Sequence, residues 1–202
     1  MTPDFILKEL NVNEDVINIY PYGSRVYGTA TEESDHDFII VTKGALLKSG
    51  GFKQNAISSK DWKIQGVLYS RSGFIDAINN YEIGALECMS LDPSMVVLNK
   101  WPFKIQKWDT NELIKKIIQK ASASWHIADM QSKNDDKDYA KKGTFQALRI
   151  LMFGLQLKEH KKIVDFTVAN KMKEEFNLVK EEDFDTRDYI ELRDSLMFNL
   201  RK

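Results

Sequence analysis

Short runs of apolar residues near the N-terminus give way to long helical periodicities beyond residue 110. Residues 4–10 (DFILKEL) are spaced for a short helix that packs Phe5, Ile6 and Leu10 under a sheet. Apolar, β-rich runs predict strands near 15–21 and 36–42. Residues 43–60 mix Gly, Ser and Lys without a period and read as a loop. Strict alternation over 62–70 (WKIQGVLYS) predicts a third strand, with Trp62, Ile64, Gly66 and Leu68 on one face and Lys63, Gln65, Val67 and Tyr69 on the other. A helix over 72–81 and a fourth apolar strand over 94–98 follow, and Trp101–Pro102 leads out. Helices are predicted at 110–132, 136–158, 165–177 and 185–200, with polar breaks at Asn134–Asp136 and His160–Lys162. The expected fold is α/β followed by α: a small mixed β-sheet core over residues 1–108, then a C-terminal helical bundle over 109–202.

Candidate chemistry is concentrated in residues 16–42, VINIYPYGSRVYGTATEESDHDFIIVT. The first strand runs into Gly23–Ser24, and Asp35–His36–Asp37 opens the second. Alternation along a strand sends Asp35 and Asp37 to one face and His36 to the other. Two adjacent carboxylates repel, and a hard cation relieves that repulsion. Mg²⁺ takes oxygen ligands and shares them with substrate phosphates. Glycine lets a backbone approach a ligand closely, and the free N–H groups that open a helix attract phosphate. The two halves together read as a site for a metal–triphosphate complex.

The string GSRVYGTATEESDHD resembles the signature of the DNA polymerase β nucleotidyltransferase superfamily, in the branch patterned GS-x-x-x-G-x-A-x-x-x-S-D-x-D. The resemblance implies that Gly23 and Ser24 hold the triphosphate, and that Asp35 and Asp37 are catalytic and bind two Mg²⁺ or Mn²⁺ ions. Arg25 and Gly28 match that branch and are implied in nucleotide binding. The implied activity is transfer of NMP from an NTP, ATP among them, to an acceptor hydroxyl, with release of pyrophosphate. Two alternatives accompany it: a catalytically weak nucleotide-binding or regulatory module, and an enzyme that modifies RNA ends.

One position departs from the pattern. The third strand of the superfamily supplies a further carboxylate, and here that place falls on Gln65. Its neutral amide offers an oxygen ligand but is no base near neutral pH. Asp61 and Glu87 are the nearest acidic substitutes. Glu87, in IGALECMSLDP, matches an acidic position of the branch and reads as an accessory group or as a surface glutamate on a helix.

In the helical half, Phe145, Leu148, Leu151, Met152 and Leu155 form an apolar stripe, with Lys142, Gln146 and Arg149 in a polar row beside it. The segment KKGTFQALRIL resembles the helix that follows the core in the same branch. That implies Lys142 and Arg149 as ligands of the nucleotide's phosphates, facing Gly23 and Ser24 across a cleft, with Lys141 pointing elsewhere. Salt bridges are the alternative use of these cations.

Charge and composition narrow the partners. A net charge of −1 argues against a broad nucleic-acid footprint. The stretch 137–162 nevertheless carries Lys137, Lys141, Lys142, Arg149, Lys158, Lys161 and Lys162 against Asp138 and Glu159, a basic surface on which RNA could dock. The acceptor is left unidentified, with RNA and protein among the candidates. No run approaches the length of a membrane span, the N-terminus does not read as a signal peptide, and the single cysteine, Cys88, excludes an intramolecular disulfide and reads as a core residue. A cytoplasmic location is the expectation.

Overall fold

The structure, a computed structural model, describes residues 1–44 and 54–202. They divide into two compact units, Met1–Trp108 and Asp109–Lys202.

The first unit is built on five strands: β1 (Val16–Tyr22), β2 (His36–Thr42), β3 (Gln54–Ser58), β4 (Ile64–Ser70) and β5 (Leu98–Asn99). Their order across the sheet is β3-β4-β2-β1-β5, with β2 and β4 parallel and the other pairs antiparallel. Helix α1 (Pro3–Glu9) starts where the Thr2 hydroxyl accepts from the amide of Phe5, and it covers one face of the sheet. Ile6 and Leu10 join Ile19, Phe38, Ile40 and Leu68 there, whereas Phe5, expected in the same layer, is 46% exposed. The four-residue helix α2 (Ser24–Tyr27) joins β1 to the loop before β2. Helices α3 (Arg71–Asn79) and α4 (Ile83–Ser90) cover the opposite face, where Ile39, Val41 and Tyr69 meet Phe74, Ile78 and Cys88.

Three elements differ from the sequence pattern. Within 43–60, residues 45–53 lie outside the described residues, but the end of that stretch is strand β3 rather than loop. QNAIS is too short to show a period, and pairing with β4 makes it a strand. Trp62 precedes β4 instead of lying on it, because its φ of 60° places it in the hairpin turn. The predicted fourth strand begins instead as a 3₁₀ turn, Pro93–Met95, since Asp92 accepts from the amide and hydroxyl of Ser94 and curls the chain. Only Leu98 and Asn99 pair with β1. Buried Asn18 clips this segment down: its amide nitrogen donates to Asn99 Oδ1 and to the Trp101 carbonyl, and its oxygen accepts from the Trp101 amide.

The second unit holds α5 (Thr110–Lys133), α6 (Lys137–His160), α7 (Asn170–Leu178) and α8 (Ile190–Arg201). Asp109 and Asp136 cap α5 and α6 by accepting from the amides of Glu112 and Tyr139. The two long helices are joined by three residues, and Gly143 of α6 lets them approach closely, since a Cβ there would stand 3.0 Å from that of Ala128. Helix α7 begins later than its periodicity suggests, because Gln156 accepts from the amides of Val164 and Asp165, and the Asp165 side chain from that of Thr167, which holds a turn. Likewise Asp185 sets a 3₁₀ turn, Thr186–Tyr189, ahead of α8.

Candidate active site

The site lies where β1 ends and β2 begins. Tyr22, the last residue of β1, is in register with Asp37. Gly23 then takes φ 78° and ψ −156°, and a Cβ on it would overlap the Asp37 carboxylate. Position 23 therefore requires glycine twice over, for its backbone angle and for the space. Ser24 opens α2, and Gly28 ends it in the left-handed conformation with its amide on the Ser24 carbonyl. The Arg25 guanidinium donates to the carbonyls of Ser34 and Asp35, at 2.6 and 3.0 Å. Arg25 thus braces the loop that presents Asp35.

Across the sheet Asp37 is in register with Gln65 of β4, whose amide nitrogen donates to Oδ2 of Asp35. Burial first, and then the charge of Asp35, pushes the Asp37 carboxyl up to about 6. His36 is turned to the other face, stacked over Phe38 with ring centroids 6.5 Å apart. Its pKa is lowered by its partial burial and then by Arg25.

Among the described residues no three His, Cys, Asp or Glu side chains gather as a metal cluster. The pair Asp35 and Asp37 nonetheless suits a hard cation. Burial first, and then repulsion from Asp35, favours the proton on Asp37, and a cation would relieve both; Mg²⁺ commonly takes one or two protein carboxylates with the rest of its shell from phosphates and water.

The two acidic substitutes have other partners. Glu87 is only 3% exposed, so it is not the surface glutamate its helix position suggested, and it accepts from the Tyr27 hydroxyl at 2.5 Å. This bond ties α4 to α2. Asp61 caps the β3–β4 turn, accepting from the Ser59 hydroxyl and the Lys63 amide; the Ser59 bond is the first cause of its lowered pKa.

In the second unit, Lys142 is exposed and paired with Asp138 at 2.5 Å, one turn away. The half-buried Arg149 has its guanidinium over the rings of Phe145 and Phe153. Lys141 donates to the Val179 carbonyl, and Lys158 to those of Asn199 and Leu200. Part of the basic stretch 137–162 thus serves the unit's own structure. Lys173 of α7, which no motif singles out, joins Lys141 and Lys142 around a cavity of about 160 Å³. Its pKa is lowered by burial first, and then by Arg149, Lys142 and Lys141.

A mixed sheet whose first hairpin carries Gly–Ser against a carboxylate pair defines the class, and comparison with known families agrees. The profile of the nucleotidyltransferase domain family matches residues 5–201, and the chain belongs to that family. It fits the polymerase β-like superfamily. Among solved structures, it is similar to a nucleotidyltransferase-like protein from Exiguobacterium sibiricum 255-15, at 12% identity and a TM-score of 0.36, over 98% of this chain and 71% of that one. No curated protein matches. No helix among the described residues is long and apolar enough to cross a membrane.

Proposed function

We propose that the protein is a metal-dependent nucleotidyltransferase, moving NMP from an NTP to an acceptor hydroxyl and releasing pyrophosphate. The observation that carries this reading is the placement of Gly23 against Asp37, with Asp35 beside it on the face away from His36. Gly23 and Ser24 take the β- and γ-phosphates, and Asp35 and Asp37 hold Mg²⁺. The bound metal supplies charge stabilisation at the attacking and leaving oxygens. Arg25 keeps Asp35 in place through the loop carbonyls. In the transfer, the acceptor oxygen forms its bond to the α-phosphorus while the bond to the β-phosphate bridging oxygen breaks, and pyrophosphate leaves with that electron pair. The acceptor's proton passes to water or to a carboxylate of the site. That matters here because Gln65 cannot accept it. Lys142 and Arg149 are read as cations for the leaving pyrophosphate, on the strength of the sequence resemblance.

A second reading, a nucleotide-binding module with weak chemistry, is favoured by the Gln65–Asp35 hydrogen bond, which fills the place of a third carboxylate with a neutral group. The two are separated by incubating the protein with each α-labelled NTP and Mg²⁺, and scoring label on protein, RNA and small molecules. Transfer that disappears in Asp35→Asn supports the enzyme. Binding of NTP without transfer to any acceptor supports the module.

A further inference from the structure

A cavity of about 320 Å³ lies over β4 and β3, beside the carboxylate pair, with Tyr22, Asp37, Ser58, Trp62, Gln65 and Val67 among its lining residues. We propose that this cavity is the acceptor subsite and that it takes an uncharged alcohol carrying an aromatic ring. The proposal rests on the transferase reading above and names the acceptor chemistry of the same site.

Two observations carry it. The first is position. The sheet order puts β1, with Gly23 at its end, on one side of Asp37, and β4 and β3 on the other. In phosphoryl transfer the attacking and leaving oxygens lie roughly in line through phosphorus. With pyrophosphate at Gly23 and Ser24, the acceptor arrives from the side of β4 and β3, where the cavity is. The second is chemistry. None of the described lining residues is Lys, Arg or His. Those residues offer a second phosphate no cation of their own, so beyond the Mg²⁺ proposed at Asp35 and Asp37 nothing among them would offset its charge. Val67 and Ala56 give the cavity an apolar floor, and Ser58 and Gln65 give neutral hydrogen-bonding groups. Trp62 stands at its edge with 66% of its surface exposed, an indole face on which a planar ring can stack. This argues against a polynucleotide end, whose adjoining phosphate would have to enter the same space.

The test follows the Trp62 indole and the Gly23 amide by nitrogen-15 NMR in the full chain. The neutral probes are N-acetyl-tyrosinamide and thymidine; the charged counterpart is thymidine 5′-phosphate, and mannitol is the alcohol without a ring. Both neutral aromatic probes should shift the Trp62 signal in the presence of ATP and Mg²⁺, at least about fivefold more tightly than thymidine 5′-phosphate or mannitol. By calorimetric titration, since these variants lack the indole signal, Trp62→Ala should weaken the neutral probes at least about fivefold, and Trp62→Phe should restore most of the loss. A Trp62 signal unmoved by the neutral probes, equal binding of the phosphorylated one, or displacement of the neutral probes by ATP would each overturn the assignment. The last result would give the cavity to the donor's own base. The Gly23 amide distinguishes the two levels. If it ignores ATP and Mg²⁺, the transferase reading fails; if it responds while the neutral probes leave Trp62 unmoved, only the acceptor assignment fails.

Discussion

Gly23 packs against Asp37 so closely that any side chain on residue 23 would displace the carboxylate. The turn that is read as the phosphate cradle and the carboxylate that is read as the metal ligand are therefore one steric unit. Gly23→Ala should lose about 1–3 kcal/mol of stability from its backbone angles alone, φ 78° and ψ −156° being open essentially to glycine only, and Mg²⁺ affinity should fall at least about tenfold as Asp37 is pushed aside. Gly84→Ala, whose new Cβ would have no contact closer than 3.6 Å, is the control and should leave both unchanged or slightly improved. Denaturant melts and calorimetric titration with Mg²⁺ and ATP read the two effects.

The second expectation concerns pH. In the metal-free protein Asp37 is raised from 3.8 to about 6, so between those values the folded state holds a proton that the unfolded state has lost. Stability from this group is therefore full below about pH 4 and is lost as pH rises through about 6. Mg²⁺ competes with that proton. It should raise the melting temperature more at pH 8 than at pH 5, and Asp37→Asn should abolish the difference. An Mg²⁺ shift that is equal at the two pH values would contradict the assignment.

Gln65 gives the third. Gln65→Asp places a third carboxylate beside the pair, which should tighten Mg²⁺ binding and, with an acceptor supplied, speed transfer. In the absence of metal the same variant should be less stable at pH 8 than the natural chain, because three like charges then share the site. Faster transfer by wild type than by Gln65→Asp would show that the amide's bond to Asp35 is itself needed.

The buried Tyr27–Glu87 bond leads to the fourth. Glu87→Gln retains an acceptor for the Tyr27 hydroxyl and should cost little. Glu87→Ala removes it and should destabilise the protein by about 1–3 kcal/mol. Because the bond ties α4 to α2, NTP binding should weaken in proportion to the lost stability in Glu87→Ala. Loss of transfer in Glu87→Gln at full stability would instead make Glu87 a participant in the chemistry.

The fifth separates the cations of the helical unit. Lys142 and Asp138 form an exposed pair, worth little to stability. Lys142→Ala should therefore melt like the natural chain while binding ATP more weakly than AMP relative to wild type. Arg149→Ala should show the same discrimination together with a drop in melting temperature, since the Arg149 guanidinium also packs over Phe145 and Phe153. Unchanged ATP affinity in both variants would remove them from the phosphate site.

Much of this protein can be read from local spacing. Strong apolar runs and side-chain caps mark β1, β2, α5 and α6, because a strand's period of two and a helix's of 3.6 are imprinted on residues close in sequence. The facing of Asp35 and Asp37, and the turning away of His36, follow from that same alternation. Tertiary structure decided what depends on partners far along the chain. QNAIS is a strand because β4 lies beside it, and Glu87 is a buried acceptor because Tyr27, sixty residues earlier, is folded against it. Trp62 reaches the rim of a cavity only because a positive φ takes it out of the strand register its sequence suggested. Gln65 meets Asp35 through the parallel pairing of β4 with β2, a register that no local pattern encodes, since it is set by how two distant apolar faces pack.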